Sequence, residues 1–234
     1  MIQVAKNKRP KIGQSQTKKQ DTIMPQLLTD GEVETIQMLH HRRMGWVHLL
    51  EITIGDKAVG FPCDAEEFAI RRELRMLVSK VADWFRITGA NKKWPSADGL
   101  MWEIDFKAHK VMPKFNHSNS KQQEATSAKL TEGPIMALGD VDLEIYRRLI
   151  EKRAGLADLV RAKVREIVSG GTNRAELNTL IQELGAAEID LRNWFSEMAT
   201  TYKWPRSNDN NWFYDIDLDE KQVRFAQRGG CSCA

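Results

Sequence analysis

The chain has few cysteines and no long apolar run. Its three cysteines are Cys63, Cys231 and Cys233. An odd number with two crowded near the C-terminus does not suit a disulfide framework, and it is typical of a reducing compartment. No apolar run approaches the roughly 20 residues that cross a bilayer, and the polar segment 1–20 lacks the apolar stretch of a secretory signal. These absences predict a cytoplasmic protein without a membrane anchor.

The sequence also lacks the local motifs of common catalytic and cofactor sites. Gly170 and Gly171 are not followed by the Lys-Ser/Thr pair of a phosphate-binding loop, and no Gly-x-Ser-x-Gly motif occurs. Four candidate zinc ligands follow no known spacing: His40, His41, His48 and Cys63. We therefore expect no catalytic residue, no metal site and no cofactor, and the protein is predicted not to be an enzyme.

The excess positive charge is concentrated near the N-terminus. The whole chain has 35 basic and 32 acidic side chains, whereas residues 1–30 have six and two, a net charge of +4. Few apolar groups accompany these charges, so residues 1–28 are predicted to form a disordered basic arm. Such an arm is either a solvated extension or an element that contacts nucleic-acid phosphates. Its candidate nucleic-acid-binding residues are Lys6, Lys8, Arg9, Lys11, Lys18 and Lys19.

A second polar segment divides the rest of the chain. Residues 116–132 contain almost no large apolar side chain, which is typical of a linker. We predict module 1 at residues 29–115, module 2 at residues 133–228 and a flexible tail at residues 229–234. Both modules are close to neutral, which argues against a broad basic groove for nucleic acid.

Module 1 shows a helical pattern, an alternating pattern and a second helical pattern. Glu32–Arg43 is predicted to be a helix, and Trp46–Phe61 a β-hairpin with its turn at Gly55. Asp64, followed three residues later by Glu67, predicts a helix start with Asp64 as the N-cap. One apolar stripe then recurs at steps of three and four residues: Ile70, Leu74, Leu77, Val81, Trp84 and Phe85.

Module 2 begins with two helical patterns joined by a short turn. The first pattern covers Val141–Val168 and ends before Gly170-Gly171, and the second extends from Leu177 to Met198. Two amphipathic helices with so short a connection pack antiparallel. Module 2 is therefore predicted to open with a helical hairpin.

A repeat relates the two modules. At an offset of 110 residues, Trp84-Phe85 and Lys93-Trp94-Pro95 recur as Trp194-Phe195 and Lys203-Trp204-Pro205. Because module 1 has a predicted hairpin before this repeat and module 2 a long helix, the duplication is expected to cover only roughly 45 residues of each module.

At each Lys-Trp-Pro motif the chain is predicted to turn a corner out of the helix. An alternating apolar strand, a short turn and a return strand follow. This order predicts a β-hairpin at residues 102–115 in module 1 and at residues 212–226 in module 2. Pro113 is expected to confine the first return strand to a sheet edge, because proline donates no hydrogen bond. The predicted fold is α+β and helix-rich, with two diverged helix–turn–β-hairpin modules in tandem.

The recurring Lys-Trp-Pro corners contain the candidate partner-binding residues. Tryptophan at such a corner usually packs in a core, but an exposed ring also stacks on a partner or on nucleic-acid bases. The best candidates for exposure are Lys93, Trp94, Lys203 and Trp204. We expect a non-enzymatic binding or adaptor protein with a protein partner, within a larger assembly for which a nucleoprotein is one candidate. The alternative is a nucleic-acid-binding protein that uses the basic arm and stacking tryptophans.

Overall fold

The computed structural model of the chain describes residues 24–96, 100–115, 133–205 and 212–227. Its helices are α1 (Asp30–Ala58), α2 (Asp64–Asn91), α3 (Asp140–Val168) and α4 (Arg174–Thr201). Its strands are β1 (Gln26–Leu27), β2 (Leu100–Asp105), β3 (Lys110–Phe115), β4 (Gly133–Ala137), β5 (Trp212–Asp217) and β6 (Gln222–Gln227). The predicted helix-rich α+β fold is confirmed, as is the helical hairpin that opens the second half of the chain. None of these four helices is both long and apolar enough to span a bilayer.

Each module pairs its strands in a three-stranded antiparallel sheet. The strand order is β1-β3-β2 in module 1 and β4-β6-β5 in module 2. The hairpin register joins Ile104 to Val111 in module 1 and Ile216 to Val223 in module 2. Both predicted C-terminal hairpins are therefore present, and each gains a third strand from the start of its module.

The repeat covers the whole of each module, so the expectation of a partial duplication is wrong. The helices of module 2 begin and end 110 residues after those of module 1, and the hairpin strands follow at an offset of 112. The chain enters both modules in the same way, because Leu28 N–H donates to His109 O at 2.8 Å and Leu138 N–H to Lys221 O at 2.7 Å. Module 1 therefore begins at or before Gln26 rather than at residue 29.

Helix α1 continues through the segment that was expected to form a hairpin, so the prediction for Trp46–Phe61 is wrong. The buried positions of this segment recur at helical spacing, since Trp46, Leu49 and Thr53 are 2%, 1% and 2% exposed, whereas Ile54 of the alternating set is 45% exposed. Thr53 Oγ1 donates to the Leu49 carbonyl oxygen at 2.9 Å, a bond that helical threonine makes to the preceding turn. Burial of this stripe outweighs the β propensity of its branched residues. Gly55, the expected turn residue, lies inside the helix.

The start of α2 also differs from its prediction. Cys63, not Asp64, is the N-cap residue, and it makes no side-chain capping bond. Lys57 in the last turn of α1 instead lies 2.6 Å from Asp64 and 2.9 Å from Glu67. The carboxylates of the first turn of α2 therefore pair with the preceding helix.

Pro113 has a local effect on the sheet of module 1. Strand β3 is the central strand, so its expected confinement to an edge is wrong at Lys110 and Val111, which pair with β1. Among the described residues, β1 pairs with β3 only at Lys110 and Val111. From Met112 to Phe115, β3 pairs with β2 alone within the described chain. The equivalent of Pro113 in module 2 is Phe225, which pairs with Gly133 of the longer strand β4. The missing N–H of proline accounts for the shorter first strand in module 1.

One hydrophobic core joins the helices of both modules. Helices α1 and α4 cross with their backbones in contact, because a Cβ at Gly45 would lie 2.2 Å from the Ile181 carbonyl oxygen. A Cβ at Gly185 would lie 1.6 Å from the His41 carbonyl oxygen. The most deeply buried members of the core are Ile36, Leu49, Ile70, Val160, Ile181 and Leu184.

A buried acid links three of the four helices. Glu188 of α4 is 6% exposed and accepts hydrogen bonds from Arg153 of α3 at 3.2 Å and from Arg192 at 2.8 Å. His48 Nδ1 of α1 lies 3.7 Å from the same carboxylate. Because both Glu188 oxygens have arginine partners, this cluster satisfies a structural charge within the bundle.

Candidate partner-binding cleft

Both Lys-Trp-Pro corners are helix C-caps of the same kind. Lys93 and Lys203 have a φ of 53°, and both side chains are exposed. The tryptophan N–H donates to the carbonyl oxygen five residues earlier, at 2.9 Å from Trp94 and 3.0 Å from Trp204. This is the six-to-one hydrogen bond of a Schellman motif, in which the residue after the left-handed position packs back on the helix. Helix termination therefore accounts for the recurrence of Lys-Trp-Pro.

The corner of module 2 is closed. Trp204 is 3% exposed, so its expected exposure is wrong, and Trp194 is 8% exposed. Trp204 Nε1 donates to Met136 Sδ at 3.0 Å. The ring of Tyr214 lies 5.0 Å from that of Trp204 and 5.5 Å from that of Phe225. These contacts fill the space between the sheet and the helices of module 2.

The equivalent corner of module 1 is open. Trp84, Trp94 and Trp102 are all half-buried. The ring centroid of Trp94 lies 6.4 Å from that of Trp84 and 5.3 Å from that of Trp102. Trp94 Nε1 is buried without a hydrogen-bond partner in the described part of the chain. Module 1 therefore has three tryptophans in mutual contact that are only partly covered.

Two differences between the modules explain why one is open. Tyr146, whose ring lies 5.4 Å from that of Trp194, is replaced by Ile36 in module 1. Phe225, which is 4% exposed, is replaced by Pro113. Each replacement removes a ring from the space between sheet and helices, so a groove remains in module 1 where module 2 has a core.

The groove lies between β2 and the helices, and we call it the aromatic cleft. It consists of two adjoining cavities of about 430 and 650 Å³. His40 and Phe106 line both cavities, and their ring centroids are 5.5 Å apart. The other apolar lining residues are Ile36, Val81, Phe85, Trp102, Ile104, Met112 and Ile189, and the other polar ones are Gln37, His41, Arg43, Glu103, Asp105, Lys107 and Asn193.

The aromatic cleft has no net charge at neutral pH. Burial, the main cause, lowers the pKa of both His40 and His41 below the ordinary value of 6.5. Both imidazoles are therefore neutral near pH 7. The charged residues of the cleft balance: Arg43 and Lys107 against Glu103 and Asp105. A neutral cleft with aromatic walls suits an apolar group better than a phosphate backbone.

Strand β2, which forms one wall of the cleft, is the edge strand of its sheet. Within the described ranges no strand pairs with its outer side, so backbone N–H and C=O groups remain available there. Strand β5 is the equivalent edge strand of module 2, but there the rings of Trp204 and Tyr214 pack together and fill the equivalent space. An open sheet edge next to a groove with apolar and aromatic side chains in its walls is an arrangement that accepts an added peptide strand.

None of the predicted partner-binding residues lines this cleft: Lys93, Trp94, Lys203 and Trp204 are all absent from its walls. Trp94 lies behind the wall, in contact with the lining residue Trp102. The candidate nucleic-acid-binding residues lie outside the described residues, namely Lys6, Lys8, Arg9, Lys11, Lys18 and Lys19. Across the residues that the structure describes, no group of three or more His, Cys, Asp or Glu side chains is placed to hold a metal ion.

Sequence reasoning missed the residues that open the cleft. The signal was present as a difference inside the repeat, because Ile36 stands where module 2 has Tyr146 at the offset of 110. The predicted hairpin within α1 made α1 and α3 look different, so this difference inside the repeat was not recognised.

Comparison of the chain with protein-family models, with curated proteins and with solved structures found no match.

Proposed function

We propose that the chain is a non-enzymatic binding or adaptor protein that holds an extended, apolar segment of a protein partner in the aromatic cleft. One observation carries this proposal: the aromatic cluster that is closed in module 2 is half-exposed around a groove in module 1. Trp102 lines this groove, and tryptophan is among the residue types most enriched in the contacts that dominate the free energy of protein association.

The open edge of β2 favours a peptide over a compact ligand. A peptide strand beside Leu100–Asp105 would gain backbone hydrogen bonds, and alternate side chains would enter the cleft next to Trp102 and Phe106. This mode needs no change in the rest of the fold. Module 2 would act as the closed structural half that holds α1 in place through α4.

The charge of the cleft favours a protein partner over nucleic acid. Its cationic and anionic residues balance, and its two histidines are neutral near pH 7, so no positive potential faces a phosphate backbone. The nucleic-acid alternative rests on the basic arm, and it stays a prediction.

A peptide selection with a matched pair of variants tests the proposal. Random peptides displayed on phage are selected on the immobilised full chain, and enriched peptides are synthesised and titrated by calorimetry. Phe106→Ala opens the cleft wall, and Leu218→Ala changes the equivalent residue of module 2. We expect Phe106→Ala to weaken binding about 30-fold, the effect of losing a hot-spot contact of about 2 kcal/mol. Leu218→Ala should change it less than about threefold.

Three outcomes would overturn the proposal. The first is that no peptide is enriched, and the second is that both variants bind an enriched peptide as the wild type does. The third is that single-stranded DNA displaces the peptide with a steep dependence on salt concentration, which would favour the nucleic-acid alternative. Thermal melts of both variants show that the comparison is between folded proteins.

A further inference from the structure

A further cavity, separate from the two that form the aromatic cleft, lies among all four helices. Its volume is about 230 Å³, about one and a half times the roughly 150 Å³ of an apolar cavity that holds benzene. Its apolar wall is formed by Ala69, Met76, Val164, Ile167, Val168 and Leu177. A cavity of this size and lining has room for a small organic molecule.

Two buried donors of α1 at this cavity have no hydrogen-bond partner in the part of the chain that the structure describes. Trp46 is 2% exposed, and its Nε1 is unpaired within the described residues, as is Nε of Arg42. The other end of Arg42 is fixed, because Nη2 donates to Asn178 Oδ1 at 2.5 Å. Residues 42 and 46 lie one helical turn apart, so both donors are on the same side of α1. Leaving a buried donor unpaired costs about 1–3 kcal/mol, which indicates that an acceptor belongs here.

The charges around the cavity favour an anionic acceptor. Four cationic side chains line it, and Glu73 is the one acid among its lining residues in the described chain. Arg72 and Arg174 approach Glu73 Oε1 only to 3.6 Å, longer than the roughly 2.7–2.9 Å of a charge-assisted hydrogen bond. Neither arginine is therefore fully engaged by Glu73. The cations are Arg42, Arg72, Lys80 and Arg174.

We propose that this interhelical cavity binds a small organic carboxylate with an apolar body. The carboxylate would accept from Trp46 Nε1 and Arg42 Nε, and the apolar body would lie against the side chains of α3 and α4. The mixed lining selects against inorganic phosphate, which has no apolar part, and against a neutral apolar molecule, which leaves both donors unpaired. This inference does not depend on the peptide proposed for the aromatic cleft.

Titration of the full chain with phenylacetate, phenylacetamide and inorganic phosphate tests the inference. Indole N–H signals in ¹⁵N-correlated NMR spectra report on each tryptophan, and Trp46→Phe and Trp94→Phe assign two of them. Trp94→Phe is the matched control, because it removes the other buried, unpaired indole N–H at a position outside the cavity. We expect phenylacetate to shift the Trp46 signal to saturation. Its dissociation constant should be at least tenfold lower than that of phenylacetamide or phosphate. The Trp94 signal should remain in place.

Trp46→Phe separates a ligand donor from a structural one. It keeps the ring in the core and removes the N–H, so phenylacetate should bind at least fivefold more weakly, while Trp94→Phe should bind it as the wild type does. Without ligand, Trp46→Phe should lower the urea midpoint only by the packing lost with the smaller ring, because no protein hydrogen bond is lost.

Other results would overturn the inference. The first is that phenylacetate does not shift the Trp46 signal. The second is that phenylacetamide or phosphate binds as tightly as phenylacetate, and the third is that Trp46→Phe binds phenylacetate as tightly as the wild type. Should that variant unfold, Ala69→Leu, which fills the cavity from α2, must abolish phenylacetate binding.

Discussion

The tryptophans of the two modules occupy equivalent positions in different surroundings. Trp204 is 3% exposed and its indole N–H is paired, whereas Trp94 is half-buried and its indole N–H has no partner among the described residues. Trp204→Ala should therefore lower the free energy of unfolding by about 3–5 kcal/mol, as Trp194→Ala should. Trp94→Ala should cost no more than about half as much. Urea unfolding of the three variants measures this.

Equal losses for Trp94→Ala and Trp204→Ala would contradict the difference between an open and a closed corner. From the sequence, both Trp94 and Trp204 are expected to be exposed, and for Trp204 the structure reverses that expectation. Lys-Trp-Pro shows where the chain leaves the helix, but the side chains that contact Trp204 include Met136, which is 68 residues away in the sequence. The motif alone contains no information on those contacts.

His40 makes the stability of the protein dependent on pH. Burial is the main cause of its lowered pKa, and the nearby charges of His41, Arg43 and Arg192 lower it further. The unfolded chain therefore binds more protons near and below the ordinary value of 6.5, and stability falls as the pH decreases through that value. The free energy of unfolding should be lower at about pH 5.5 than at about pH 7.5.

The control for this prediction is His40→Gln. It should reduce the loss of stability between the two pH values without abolishing it, because burial also lowers the pKa of His41 and His48. Glu32 and Asp140, whose pKa values are lowered from 4.5 and 3.8, affect stability only at lower pH. A His40→Gln protein with an unchanged pH dependence would remove His40 from this account.

Helices α1 and α4 depend on glycine where they cross. Gly45→Ala would place a methyl group against the Ile181 carbonyl of α4, and backbone atoms cannot yield without separating the helices. We expect a loss of more than about 2 kcal/mol in the free energy of unfolding. Gly155, the equivalent residue of α3, has open space around its Cβ position, so Gly155→Ala should stabilise by about 0.5–1 kcal/mol. Denaturant melts of both variants would contradict this account if Gly45→Ala were as stable as Gly155→Ala.

Elements with one dominant periodicity were predictable from the sequence, and elements with two were not. The helices at 64–91, 140–168 and 174–201 and both C-terminal hairpins follow the predicted patterns within a few residues. In the second half of α1, branched residues satisfy strand alternation and helical spacing together. Packing against α4 stabilises the helical conformation there, and a local sequence pattern contains no information on that contact.

The two modules share one core, so the molecule should unfold as one cooperative unit. Buried residues of α1 and α2 belong to the same cluster as those of α3 and α4. A protease site inserted between residues 116 and 132, once cut, should leave two fragments that elute together from a sizing column. In denaturant they should unfold and separate together in one transition, at a lower concentration than the intact chain because the cut makes their association bimolecular. Fragments that separate in native buffer would show that each module is independent.

The asymmetry between a closed and an open module is the basis of the proposed function at the scale of the whole molecule. It is most directly tested by amide hydrogen exchange of the full chain with and without a phage-selected peptide. An added strand should slow exchange at β2, residues 100–105, and leave exchange at β5, residues 212–217, unchanged. Equal protection of both strands, or protection of the helices without β2, would contradict the proposal that a partner strand binds at the aromatic cleft.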